Sequence, residues 1–71
     1  MEYVSVSSSS ISAIGYEEAS NTLAVRFHNG TEYHYFGVPQ EVFESMRQAP
    51  SVGRFHDQNI KKAGYGYARV V

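Results

Sequence analysis

The stretch from Leu23 to Pro39 constrains the fold more than any other part of the chain. Leu23, Val25 and Phe27 alternate as strand residues do, Asn29-Gly30 turns the chain, Tyr33-His34-Tyr35 resumes a strand, and Pro39 opens a helix. The length of the turn decides which tyrosines face a core. A two-residue type I′ turn sets Phe27 against Glu32 and leaves Tyr33 and Tyr35 on the face opposite Leu23, Val25 and Phe27. A three-residue loop, with Gly30 left-handed in a bulge, sets Phe27 against Thr31 and Val25 against Tyr33. Leu23, Val25, Phe27, Tyr33 and Tyr35 then share one face, and Arg26 meets Glu32 on the other. The second register satisfies both the apolar pattern and the charge pairing, so it is the expected one.

Size and composition bound the rest. A chain of 71 residues makes one domain with one core, because it buries only about 60 % of the surface it exposes when unfolded. Cysteine is absent, so neither disulfides nor thiolate metal ligands staple the fold, and packing must supply a net stability on the order of 3 to 5 kcal/mol. The apolar runs are far short of the roughly 20 residues that span a bilayer, and Met1-Glu2-Tyr3 lacks the basic flank of a signal peptide. A cytoplasmic protein with no membrane partner is expected. The net charge of −1 hides an asymmetry. Residues 1–50 set Arg26 and Arg47 against six glutamates, a net of −4, whereas residues 51–71 set Arg54, Lys61, Lys62 and Arg69 against Asp57, a net of +3.

Residues 1–8, rich in serine, read as a flexible leader, with a single domain over residues 9–71. Ile11, Ile14 and Tyr16 form a first strand, and Gly15 is the expected bulge because the Ile11 to Ile14 spacing breaks alternation. Pro39 suits the first helical position, Arg47 the last turn and Pro50 the stop, with Val42, Phe43, Met46 and Ala49 on one stripe. Ser51 is a candidate N-cap for a second helix that turns Val52, Phe55 and Ile60 inward, carries Lys61 and Lys62 in its last turn and ends at Gly64. Residues 65–71 have the composition of a short strand. The expected fold is therefore α+β: a three-stranded antiparallel β-meander with two helices packed on one face, and a short fourth strand at the C-terminus left open. Its core should comprise Ile11, Ile14, Leu23, Val25, Phe27, Tyr35, Val42, Phe43, Met46, Phe55 and Ile60.

Ser8-Ser9-Ser10-Ile11, Ile14-Gly15-Tyr16, the Leu23, Val25, Phe27 alternation, Asn29-Gly30, Tyr33-x-Tyr35, Val38-Pro39, Ala49-x-Ser51-x-Gly53-x-Phe55 and Asn59-Ile60 follow one another in that order. Together these fragments resemble the KTSC domain, a family named for its occurrence at the C-terminus of some lysyl-tRNA synthetases. The resemblance runs from about Ser8 to the C-terminus. It implies a small bacterial or phage domain of no established activity, for which a role in RNA binding is proposed. Tyr33 and Tyr35 carry the family's signature. Pro50 inside the Ala-x-Ser segment and the short C-terminus depart from the pattern and bear on the final strand.

Two uses of Tyr33 and Tyr35 compete: stacking on bases, or packing in the sheet with the hydroxyls at its rim. The expected register favours packing, which makes these two structural. An RNA surface then falls on Arg54, Lys61, Lys62 and Arg69, interleaved with Tyr65 and Tyr67, since cations suit phosphates and exposed rings suit bases. Cations near a helix C-terminus also complement its dipole, and tail tyrosines can merely cover the sheet. His28, His34 and His56 have neither the spacing nor the partners of a metal site. His56-Asp57 lacks the third group, nucleophile elbow or phosphate loop of an enzyme. No enzyme activity, cofactor or metal is expected. The two function classes that remain are weak binding of a tRNA-type RNA and a protein-interaction module using a sheet edge or the sheet face around Arg26, His34 and Phe36.

Overall fold

The computed structural model describes residues 1–71. One antiparallel sheet of five strands organises the chain, and its strands lie side by side in chain order. They are β1 (Glu2–Ser5), β2 (Ile11–Glu17), β3 (Thr22–Phe27), β4 (Glu32–Phe36) and β5 (Gly66–Arg69). Between β4 and β5 come α1 (Gln40–Arg47) and α2 (Val52–Phe55), the latter continuing as a π-helix over His56–Lys61.

The three-stranded meander expected from the sequence is thus too small. The meander is β2–β3–β4, and a strand adds to each of its edges. β1 comes from the stretch read as a leader, and β5 is the short C-terminal strand that was left open. Both are edge strands, which need a hydrophobic set on neither face, so the period-2 signal that exposes a central strand is weak in them.

The hairpin follows the three-residue register. Phe27 N donates to Thr31 O at 2.9 Å, Gly30 has φ +92°, and Val25 pairs with Tyr33, Leu23 with Tyr35 and Arg26 with Glu32. Arg26 Nε lies 3.0 Å from Glu32 Oε1. The inner face of the sheet therefore presents Ile11, Ile14, Leu23, Val25 and Tyr35 to Phe43 and Met46 of α1, Val52 of α2 and Ile60 beyond it, all buried. Val38 joins them although the sequence reading passed over it. Gly37 at φ +75° turns the chain, after which Val38 N donates to Asn21 O and Val38 O accepts from the Tyr16 hydroxyl at 2.6 Å. Phe27, Val42 and Phe55, expected in the core, are only partly buried at its margin.

The bulge in β2 is real but falls elsewhere. The register shifts between Ile11 and Ala13, so Ser12 is the extra residue. Gly15 instead allows close approach of β1: a Cβ there would lie 3.0 Å from the Glu2 carbonyl oxygen. Gly15→Val is expected to cost roughly 1 to 3 kcal/mol, as overpacking does, by peeling β1 off the sheet. Hydrogen exchange should then lose protection at Val4 while the β3–β4 amides keep theirs; unchanged exchange at Val4 would refute the close-approach argument.

Candidate functional site

Both faces of the sheet carry polar chemistry, and only one leaves it open. On the outer face Glu32 is 6 % exposed. Its carboxylate accepts from the Tyr3 hydroxyl, from Arg26 Nε at 3.0 Å and pairs with His34 Nε2 at 2.8 Å. Burial alone would raise its pKa, but the hydrogen bonds from Tyr3, His34 and Arg26 together hold it below the ordinary carboxylate value. The Arg26 guanidinium also sits 4.3 Å from the centre of the Tyr3 ring. Three side chains and a carboxylate thus satisfy one another, and the network fastens β1 across the sheet. Arg26 and His34, candidates for an interaction face, are occupied in this way, while Phe36 remains 46 % exposed.

The inner face is covered by helices only in part. Beyond their reach, β3, β4 and β5 and the π-helix enclose an open cleft of about 700 Å³. Aromatic rings wall it: Tyr33 lies 6.4 Å from Tyr35 and 6.1 Å from Tyr67, centroid to centroid, and Tyr35 lies 5.9 Å from Tyr67. Phe27 and His56 meet edge to face at 5.4 Å. Tyr67 is 65 % exposed, so its ring is only partly committed to its neighbours.

The helical segment shapes this cleft for a local reason. Ser51 Oγ accepts from Arg54 N at 3.3 Å and caps α2 as expected, and Gly53 packs against Ser8 and Ser10, where a Cβ would lie 3.3 Å from each hydroxyl. The chain then loosens into π geometry, in which residues five apart stack one turn above another. His56 and Lys61 are such a pair, and both line the cleft. Gly64, at φ +86°, ends the segment and sends the chain into β5.

At the cleft floor the Tyr35 hydroxyl and His56 Nε2 are 2.8 Å apart. Burial, helped by the nearby Lys61 charge and opposed by Asp57, pushes the His56 imidazole down to about 4. Burial and the neighbouring Tyr33 and Tyr67 push the Tyr35 phenol up to about 12. Both groups are therefore neutral at pH 7.

Of the residues singled out as an RNA surface, the structure gathers Lys61, Arg69, Tyr65 and Tyr67 around this cleft. Arg54 and Lys62 are exposed on the same helical segment but outside the cleft lining, and Lys62 Nζ lies 3.6 Å from Asp57 Oδ2. Tyr33 and Tyr35, assigned to structure, are walls of the cleft as well as members of the packed face. His56 was missed. Its signal was available, since Val52, His56 and Ile60 recur at i, i+4, i+8 and so share one helical stripe. No group of three or more His, Asp or Glu side chains converges as metal ligands would, and no helix is long and apolar enough to cross a membrane.

Comparison with known proteins places this architecture. The KTSC domain family matches residues 7–65. The chain belongs to that family. A crystal structure of a KTSC domain protein from Yersinia pestis superposes with a TM-score of 0.89 at 34 % identity, over 99 % of this chain and 97 % of that one. An uncharacterized protein of Stutzerimonas stutzeri is 37 % identical over 99 % of both chains. A lysine-tRNA ligase of Nostoc punctiforme is 40 % identical over 72 % of this chain, a stretch that makes up only 9 % of the ligase. The KTSC resemblance read from the motifs is thereby confirmed, and the domain occurs both alone and as a small part of a larger protein.

Proposed function

We propose that this KTSC domain is a non-catalytic RNA-binding module that acts in the cytoplasm and makes contact through the cleft face of β5 and the π-helical segment. The observation that carries the reading is the juxtaposition of exposed or half-exposed tyrosines with Lys61 and Arg69 around one open cleft. Rings with a free face stack on unpaired bases, and cations at their flank meet the phosphates between them. Arg54 and Lys62 extend the positive charge along the same segment. The occurrence of a related stretch within proteins named lysine-tRNA ligase supports an RNA-linked role. With four cations in this half of the chain and a net charge of −1 overall, binding should be no tighter than micromolar and strongly salt-sensitive.

An amide NMR titration with a short single-stranded RNA and a tRNA, at about 20 mM and about 150 mM salt, tests this over a range in which phosphate contacts weaken measurably. Shifts between Arg54 and Arg69 that shrink with salt are expected. Lys61→Glu combined with Lys62→Glu should reduce affinity at least tenfold at low salt and leave the fold intact, because both side chains are exposed. Unchanged affinity in that variant would place the contact elsewhere.

The open edge of β5 favours a second reading. Tyr67, Val70 and Val71 are exposed beside it, and an extended segment of a partner protein could add to that edge. Such an interface would be nearly indifferent to salt, which separates it from the first reading in the same titration.

A further inference from the structure

The Tyr35–His56 pair gives the cleft a floor that can form hydrogen bonds. The two side chains are 5 % and 6 % exposed, and their mutual hydrogen bond uses Tyr35 Oη and His56 Nε2. His56 Nδ1 has no hydrogen-bond partner in the chain and is not fully enclosed, although the residue is only 6 % exposed. When the tyrosine donates to Nε2, its oxygen can still accept and Nδ1–H donates. When Nε2–H donates to the tyrosine, the hydroxyl is free to donate and Nδ1 accepts. Either tautomer offers one donor and one acceptor, with the order reversed between them.

A nucleobase edge presents donors and acceptors side by side, in an order that differs from base to base. A floor that inverts its order without changing charge can meet more than one base. The remaining features fit the other parts of a nucleotide. Tyr67 lines the cleft with a largely exposed ring, its plane tilted 37° to Tyr35 and 41° to Tyr33. Lys61 and Arg69 stand at the rim, and the volume of about 700 Å³ lies within the range of small-ligand sites. Asp57 also lines the rim, its charge offset by Lys62 at 3.6 Å.

We propose that the cleft takes one unstacked nucleobase, its edge on the Tyr35–His56 pair, its face on Tyr67 and its phosphate side toward Lys61 and Arg69. This assignment rests on the RNA reading and narrows it to one nucleotide at one place. It predicts sequence-tolerant recognition, with the tautomer of His56 following the base.

The test is NMR of uniformly isotope-labelled protein, read at its backbone amides and at its histidine and tyrosine rings, titrated with the four ribonucleoside 5′-monophosphates, with inorganic phosphate and with a short single-stranded RNA. The monophosphates and the RNA should all move the His56 and Tyr67 ring signals, whereas inorganic phosphate should move only Lys61 and Arg69. Tyr67→Ala should weaken the RNA roughly tenfold, the scale of one lost stacking contact, and Tyr67→Phe should retain affinity. RNA binding that moves Lys61 and Lys62 amides but leaves the His56 ring still, with Tyr67→Ala neutral, would overturn the nucleobase site and spare the RNA reading. Absence of RNA binding at low salt would overturn both.

Discussion

Lowering the pH from 7 to 4 should remove most of this protein's stability, and His56 should account for the loss. The imidazole, ordinarily titrating near 6.5, is pushed down to about 4 by burial against Phe27 and Tyr35, with Lys61 adding to the effect and Asp57 opposing it. Protonation would place a cation beside the Tyr35 phenol, which is neutral over this whole pH range and so unable to act as counter-ion. The unfolded chain accepts the proton near pH 6.5 and the folded chain resists it until about 4. Stability is therefore complete above 6.5 and drains as the pH falls between those limits. The gap corresponds to roughly 3 kcal/mol, against a net stability on the order of 3 to 5 kcal/mol for a disulfide-free domain of this size. Glu32 adds a separate loss that begins only below the ordinary value of 4.5, because its pKa is lowered in the fold. Urea denaturation at pH 7, 5.5 and 4 measures the slope. His56→Gln keeps a partner for the Tyr35 hydroxyl but does not titrate, so its stability should be nearly flat between pH 6.5 and 4.5. An equal slope in that variant would rule out His56 as the acid-sensitive group.

Met46→Ala is the second large effect. Met46 is fully buried between α1 and the inner sheet face, in contact with a cluster that includes Ile11, Leu23 and Val25. Truncating a buried methionine costs about 2 to 5 kcal/mol in lost transfer energy and residual cavity, which matches the whole net stability of the domain. The variant should be largely unfolded at 37 °C, with collapsed amide dispersion and no cooperative urea transition. Phe36→Ala supplies the contrast: that ring is 46 % exposed on the outer face, and its removal should change stability by about 0.5 kcal/mol or less. A Met46→Ala protein that still unfolds cooperatively with a loss below about 1 kcal/mol would mean that α1 is dispensable to the core.

The hairpin was legible because several local requirements agree. Asn29-Gly30 allows the left-handed residue, Arg26 and Glu32 pair only in the three-residue register, and that register also gathers the apolar residues on one face. Helix limits were legible to within a few residues: Pro39, expected as the first helical residue, is the extended cap before Gln40, Ser51 caps α2 as expected, and Gly64 turns the chain only after the helix has passed into a π segment ending at Lys61. The irregular spacing of Ile11 and Ile14 revealed a bulge, yet it could not say whether Ser12 or Gly15 is the inserted residue, because only the pairing partner distinguishes them. Half of the candidate site was visible as charge and aromatics in the last third of the chain. The remainder was hidden because Tyr33, Tyr35 and Phe27 reach the cleft from a hairpin more than twenty residues away in sequence from Lys61.

By itself, then, the sequence determined what depends on neighbours in the chain: the turn, the strand faces, the caps and the class of the fold. These follow from steric limits on φ and ψ and from side-chain periods of 2 and 3.6 residues, which act over a few residues. The tertiary structure alone decided the two outer strands, the place of the bulge and the neutral Tyr35–His56 pair. Edge strands are recruited by unpaired backbone groups of a sheet already formed, and backbone groups are the same in every residue. The pair's protonation depends on how much water the assembled core excludes, a quantity that exists only once sheet and helix have met.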